Sequence, residues 1–226
     1  MPDFIIQLIP NVVNKTDELW VSLWQTFVML GISGIISFSL GLVFGVCLIV
    51  TKADGVMPNF PVHRGLGLVI NLFRSIPFVI LLAALIPLSR LVTGTAIGTT
   101  GAMVPLVFGT VPFFSRQVET ALSSVDAGLI EAAQSMGCGL WGIIFRVLLK
   151  ESIPQLIRVT QITSISLIGL TAMAGAIGGG GLGDFAIRYG HQRGQTDVTY
   201  VTVLVILVIV ALIQHLGNQI IKKNNH

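Results

Sequence analysis

Long apolar runs, separated by short polar connections, constrain this chain more than any other feature. They cover residues 19–50, 66–88, 102–115, 157–177 and 198–216. A membrane-crossing helix needs about 20 apolar residues, and four of the five runs approach or exceed that length. The third is shorter and holds Pro105 and Pro112; it is expected to continue as helix through Arg116 and Glu119. Only 10% of residues are charged and the mean hydropathy is +0.88, against about 25% charged residues in soluble domains. These features predict an all-α integral membrane protein with five transmembrane helices, forming a single domain over residues 1–226.

Within this frame, Asp126 to Pro154 is a charged island, in a loop between spans that covers residues 116–154. Ser124 or Asp126 can cap a short helix, and Leu129, Ala133 and Met136 recur on it at helical spacing. Gly137 and Gly139 then break the helix. A second amphipathic run follows, with Leu140, Ile143, Ile144 and Val147 on one side and Arg146, Lys150 and Glu151 elsewhere. Two short helices at an angle between two spans make a projecting knob. The bland alternative is an ordinary amphipathic hairpin at the membrane surface.

Charge sets the expected orientation. Outside the runs, the knob side holds Lys52, Arg64, Arg116, Arg146, Lys150, Lys222 and Lys223, whereas the other side holds Lys15, Arg90, Arg188 and Arg193. The positive-inside bias places the knob and the C-terminus in the cytoplasm and the N-terminus outside. The net charge of +3 is scattered over span ends, which gives no footprint for nucleic acid. The N-terminal MPDFIIQLIP lacks a basic n-region, so no removable signal peptide is expected. Cys47 and Cys138 have neither disulfide nor metal spacing.

Several intramembrane features are candidates for a pathway. Trp20 and Trp24 are placed for an aromatic belt, and Gly41-x-x-x-Gly45 would admit a close helix backbone. Arg74 in NLFRSIPF costs at least about 2.5 kcal/mol at mid-span. It therefore marks either a polar hinge near a pathway, with Pro77 breaking the helix, or a surface segment from which it snorkels. In the fourth run Thr160, Ser164, Leu167 and Thr171 form one stripe, which favours packing or passage over self-capping. Gly178, Gly180 and Gly183 satisfy G-x-G-x-x-G, but no strand precedes them, so a dinucleotide site is a poor reading. A helix end and tight turn at the outer mouth fits better, with Met173 nearby as a flexible apolar plug.

No G-x-x-x-x-G-K-[ST] loop is present to hold ATP. The histidines form no metal pair, and no G-x-S-x-G elbow occurs. A permease explains the knob, the polar fourth span and the missing ATP site together. An intramembrane enzyme would need an acid–base pair at depth, and a self-sufficient channel would not need a docking knob.

The knob resembles the EAA loop of ABC-importer permeases. Glu131-Ala132-Ala133, three residues, then Gly137 fits that pattern, as do Val147 and Leu149. Lys150 stands where the pattern has proline, and the nearest proline is Pro154. Over nearly the whole chain, FRSIPF, EAAQSMG and AMAGAIGGGGLGD with its following RYG are similar to the permeases of the bacterial methionine importer family. The resemblance implies a type I ABC importer fold and alternating access. It implies a homodimer with two ATP-binding ABC subunits and an extracytoplasmic substrate-binding protein, in the cytoplasmic membrane. Asp126, Glu131, Ala132, Ala133 and Gly137 would couple to the ATPase, with ATP and magnesium on that partner and no cofactor on this chain. Permeases for other small amino acids share the EAA loop and the arginine-proline string, so their substrates stand as the alternative; an ATP-independent channel is a more distant one.

Overall fold

Hydrophobic segments of this length fold as helices because helices satisfy every backbone polar group within the segment. The computed structural model describes residues 9–224, and no strand occurs among them. The reading of residues 1–8 lies outside the described part. The elements are α1 (Pro10–Val13), α2 (Thr16–Thr51), α3 (Phe60–Ser75), α4 (Phe78–Ala84), α5 (Ile86–Thr93), α6 (Gly98–Leu122) and α7 (Ala127–Ser135). Then follow α8 (Leu140–Gly142), a π-helical stretch (Ile143–Leu148), α9 (Leu149–Glu151), α10 (Ile153–Ala174), a π-helical Gly175–Gly179, α11 (Gly181–Phe185), a π-helical Ala186–His191 and α12 (Thr196–Asn224).

Three helices are long and apolar enough to cross a membrane alone: Thr16–Thr51, Ile153–Gly179 and Thr196–Lys223. Two bent pairs, α3 with α4 and α5 with α6, bring the number to five if each is one span. The second expected run is thus not one helix. Ile76 takes an extended backbone (φ −86°, ψ 124°), as residues before proline do, and α4 restarts after Pro77. The third run continues as helix through Arg116 and Glu119, as expected, and forms one helix from Gly98 to Leu122. Pro105 and Pro112 do not end it.

The chain divides into two compact units, neither contiguous in sequence. One takes the described residues up to Ile35, Pro77–Val107 and Ser164–Gln214; the other takes Ile36–Ile76, Phe108–Thr163 and the chain from His215 on. In the first unit, Met29, Ala102, Leu106, Leu167 and Ala174 form one buried cluster, and Ile168, Leu182 and Ile209 form another. In the second, Ile49, Val50, Phe114, Val118 and Leu122 pack with Ala133, Ile143, Ile144 and Leu148. This core joins the long helices to the knob.

Small residues make that core possible. An ideal Cβ on Gly41 would stand 2.7 Å from Phe114 Cδ1, and one on Gly45 would stand 2.5 Å from Val118 Cβ and 2.8 Å from the Ser115 carbonyl. The G-x-x-x-G seam therefore carries α6. A Gly45→Val variant meets backbone that cannot yield, an overpacking cost of about 1–3 kcal/mol. We expect it to lower the thermal unfolding midpoint of the detergent-solubilised chain by several degrees, whereas Gly31→Ala, whose Cβ meets nothing within 4 Å, leaves the midpoint unchanged.

Candidate functional site

The knob is built around α7. Asp126 is its N-cap, with an extended backbone and its Oδ1 accepting from Gly128 N at 2.7 Å, which satisfies one orphan donor of the first turn. At the other end Gly137 N donates to Gln134 O (2.9 Å) and Cys138 N donates to Ala133 O (3.0 Å). This is a Schellman closure, which needs a left-handed residue at its centre, and Gly137 supplies φ +80°. Gly139 plays no such part. Its backbone (φ −70°, ψ 168°) is extended and open to any residue.

The two alanines have opposite fates. Ala133 is 4% exposed in the core cluster, while Glu131 and Ala132 face outward. Leu129 and Met136 do not share the Ala133 face as their spacing suggested; they are 48% and 77% exposed. Ile130 packs inward instead. α7 thus leaves an exposed surface of Leu129, Glu131, Ala132 and Met136. Beside it lies a cleft of about 390 Å³ lined by Lys52, Asp54, Leu122, Glu131, Gln134 and Leu148. Lys52 Nζ donates to Asp54 Oδ2 at 3.0 Å. That bond holds the Asp54 carboxyl below the usual carboxylate range.

The second arm of the knob buries Ile143 and Ile144, as its pattern predicts, with Leu140 and Val147 partly buried against the same core; Leu148, outside that pattern, is buried too, and Arg146 and Lys150 stay outside. Lys150 in place of a proline does not disturb the exit. The arm ends at Ser152, which is buried with Oγ directed at the Ala121 carbonyl at 3.4 Å. Pro154 lies in the first turn of α10, where its missing N–H costs nothing. Arg116 on α6 reaches Glu119 Oε2 (2.7 Å), Asn71 Oδ1 (3.2 Å) and the Gly67 carbonyl (3.4 Å). Sequence reasoning missed this clamp, because its partners are 45 and 49 residues away.

The pathway candidates lie on α3 and α10. Arg74 lies in the last turn of α3 and is exposed. It is at a helix C-terminus, where the dipole favours a cation, and not at the middle of a continuous span. In the α10 stripe Thr160 donates to Leu156 O and Thr171 to Ile168 O, both at 2.7 Å. Leu167 and Thr171 are 1% and 2% exposed. Packing and self-capping thus occur together on this stripe, since threonine in a helix also reaches its own i−3 or i−4 carbonyl. Ser164 is half-buried, and Met173 is 49% exposed near the end of α10.

Beyond Met173 the glycines form the expected turn. Gly178 and Gly180 have φ of +93° and +75°. A Cβ on Gly175 would meet Asp184 N at 2.5 Å, and one on Gly183 would meet the Ala172 carbonyl. Gln25 Oε1 accepts from Gly181 N (2.8 Å) and Thr26 Oγ1 from Leu182 N (2.9 Å). Those two residues of α2 were also overlooked. Adjacent polar side chains inside an apolar run were the signal, since each needs a partner there.

Comparison with known proteins agrees with this geometry. The family model for the inner membrane component of binding-protein-dependent transport systems matches residues 40–223. A probable D-methionine transport system permease protein, MetI, of Vibrio cholerae is 46% identical over 94% of both chains. The D-methionine transport system permease of Salmonella typhimurium is 45% identical over 62% of this chain and 64% of its own. Among solved structures, an inward-facing MetNI methionine ABC transporter superposes with a TM-score of 0.91, at 38% identity, over 94% of this chain and 99% of that one. An amino acid ABC transporter solved with histidines shares the fold, with a TM-score of 0.77 at 17% identity over 95% and 98% of the two chains. The chain is a multi-pass membrane permease of the type I importer fold, and it belongs to the binding-protein-dependent transport system inner membrane component family.

Proposed function

We propose that this chain is the permease subunit of an ATP-driven methionine importer. Two copies pair in the cytoplasmic membrane, each resting on an ATP-binding subunit that holds ATP and magnesium. An extracytoplasmic binding protein delivers the substrate. Methionine is the choice because relatives at 46% and 45% identity are named for its transport. The observation that carries the mechanism is α7: its buried Ala133 fastens it to the core of the long helices, while Leu129, Glu131, Ala132 and Met136 stay outward. A helix held at both ends, by Asp126 and Gly137, can pass a displacement of its partner into that core. In this reading the knob and C-terminus are cytoplasmic and the N-terminus is outside, as the distribution of Lys and Arg supports.

ATP would bias a two-state element, closing and opening an outer gate in which Met173 meets its copy across the dimer axis. Cysteine at Met173 is expected to crosslink to its copy in nucleotide-free complexes and to lose that crosslink with bound ATP. Equal crosslinking in both states places the gate elsewhere. For the coupling itself, the chain is expected to co-purify with an ATP-hydrolysing subunit whose turnover rises with the loaded binding protein. Solute flux through the chain alone, without ATP, would contradict the reading.

A further inference from the structure

None of the 10 Asp and Glu residues falls within the five apolar runs, yet Arg74 lies inside the second of them. Helix packing fixes its depth. Arg116 Nη2 on α6 donates to Gly67 O (3.4 Å) and Asn71 Oδ1 (3.2 Å) of α3, and the rings of Phe73 and Phe108 lie 5.4 Å apart. As α3 advances from Gly67 to Phe73, its partners on α6 recede from Arg116 to Phe108, so the two helices run antiparallel. At 1.5 Å per residue, Phe108 stands about 15 Å from one end of α6 and about 21 Å from the other. Arg74, next to Phe73, is therefore near the middle of a hydrocarbon layer about 30 Å thick.

At that depth the guanidinium has no carboxylate partner. Among the described residues Arg74 makes no salt bridge, and its side chain is exposed. A second copy of the chain supplies none either, because its runs are equally free of Asp and Glu. The nearest acid on α6, Glu119, lies about 16 Å further along the helix and is already paired with Arg116 at 2.7 Å. An arginine facing lipid here costs at least about 2.5 kcal/mol, so this face of α3 meets water. Asn71 and Ser75, also exposed, share it with Arg74 by their i,i+3 and i,i+4 spacing. The backbone adds the opposite charge. Ile76 is extended and Pro77 has no N–H, so the carbonyls of Arg74 and Ser75 lose their helical donors. They carry the negative end of the α3 dipole.

We propose that Arg74 receives the carboxylate of the transported amino acid at mid-membrane, while the free carbonyls ending α3 accept its ammonium group; this rests on the importer reading. A guanidinium and a carboxylate form charge-assisted, two-pronged hydrogen bonds, and the C-terminal end of a helix broken at mid-membrane suits a cation. Such a site grips the part common to all α-amino acids and leaves the side chain unread. A lipid phosphate offers the same oxyanion chemistry, but headgroups lie about 15 Å away from mid-depth.

The test begins with the complete wild-type complex in nanodiscs, free of nucleotide. A water-soluble dicarbonyl reagent is expected to modify Arg74, as mapped by peptide mass spectrometry, and excess methionine to slow that modification. The decarboxylated amine of methionine is expected to give no protection. In proteoliposomes, Arg74→Gln is expected to keep the ATP hydrolysis stimulated by loaded binding protein, while uptake per ATP falls about tenfold or more. Arg74→Lys, which keeps the charge without the fork, is expected to fall between. An Arg74 that resists the reagent overturns the proposal, since a lipid phosphate or a second copy then covers it. Equal protection by the amine, or no protection by methionine, overturns it as well, as does normal uptake per ATP in Arg74→Gln. Should that variant not assemble, the protection measured on the wild-type complex decides. Failure of the importer reading looks different: the wild-type complex itself then accumulates no methionine with ATP.

Discussion

Replacing Gly137 by valine is expected to lower methionine uptake at least about tenfold while membrane insertion persists. The glycine has φ +80°, and a Cβ there would meet nothing within 4 Å. The whole cost is therefore conformational. A non-glycine residue in the left-handed region costs about 1–2 kcal/mol, and a β-branched one is a genuine outlier there. Relaxing the strain breaks the bonds to Ala133 O and Gln134 O and frees the end of α7. The complex then either loses its ATPase subunit or hydrolyses ATP without uptake, which the ratio of uptake to hydrolysis reports. Gly137→Asn, which tolerates the left-handed conformation, retains most of the activity. Normal coupling in the valine variant would remove α7 from the mechanism.

The second large effect is expected at Gly180. Its backbone (φ 75°, ψ −167°) lies in a region essentially closed to other residues, at about 1–3 kcal/mol. A Cβ would also stand 2.7 Å from Gln25 Oε1, the oxygen that accepts from Gly181 N. Gly180→Val thus strains the turn and displaces its anchor on α2. Poor recovery of the complex is expected, or ATP hydrolysis that no longer depends on the binding protein, because the turn adjoins Met173. Gly178→Asn is the control. Its φ is +93° with nothing near its Cβ position, and it is expected to keep coupled transport. Equal behaviour of the two variants would show that the turn's shape does not set the gate.

Local chemistry made much of the molecule readable in advance. The Asp126 cap and the Gly137 turn depend on neighbours within a few residues, and residue type announces both. The Gly41-x-x-x-Gly45 spacing was visible too, although its partners Phe114 and Val118 on α6 were not. What escaped depends on distant partners. The clamp of Arg116 on Asn71 and Gly67, and the contacts of Gln25 and Thr26 with Gly181 and Leu182, join segments up to 156 residues apart. The stripe on α10 was legible only in part, because spacing reports a shared face and not what the face meets. Two of its hydroxyls turn to their own backbone. At Arg74 the break was legible, since Pro77 ends the helix just beyond it as its chemistry predicts, which leaves the arginine in the last turn of α3.

Uptake of labelled methionine by proteoliposomes tests the central claim most directly. They would carry this chain, its ATP-binding subunit and, outside, the binding protein. Accumulation is expected to require enclosed ATP and magnesium and to be outcompeted by unlabelled methionine, D- or L-, but not by glutamine or histidine. Accumulation without ATP, or competition by glutamine or histidine and not by methionine, would contradict the account.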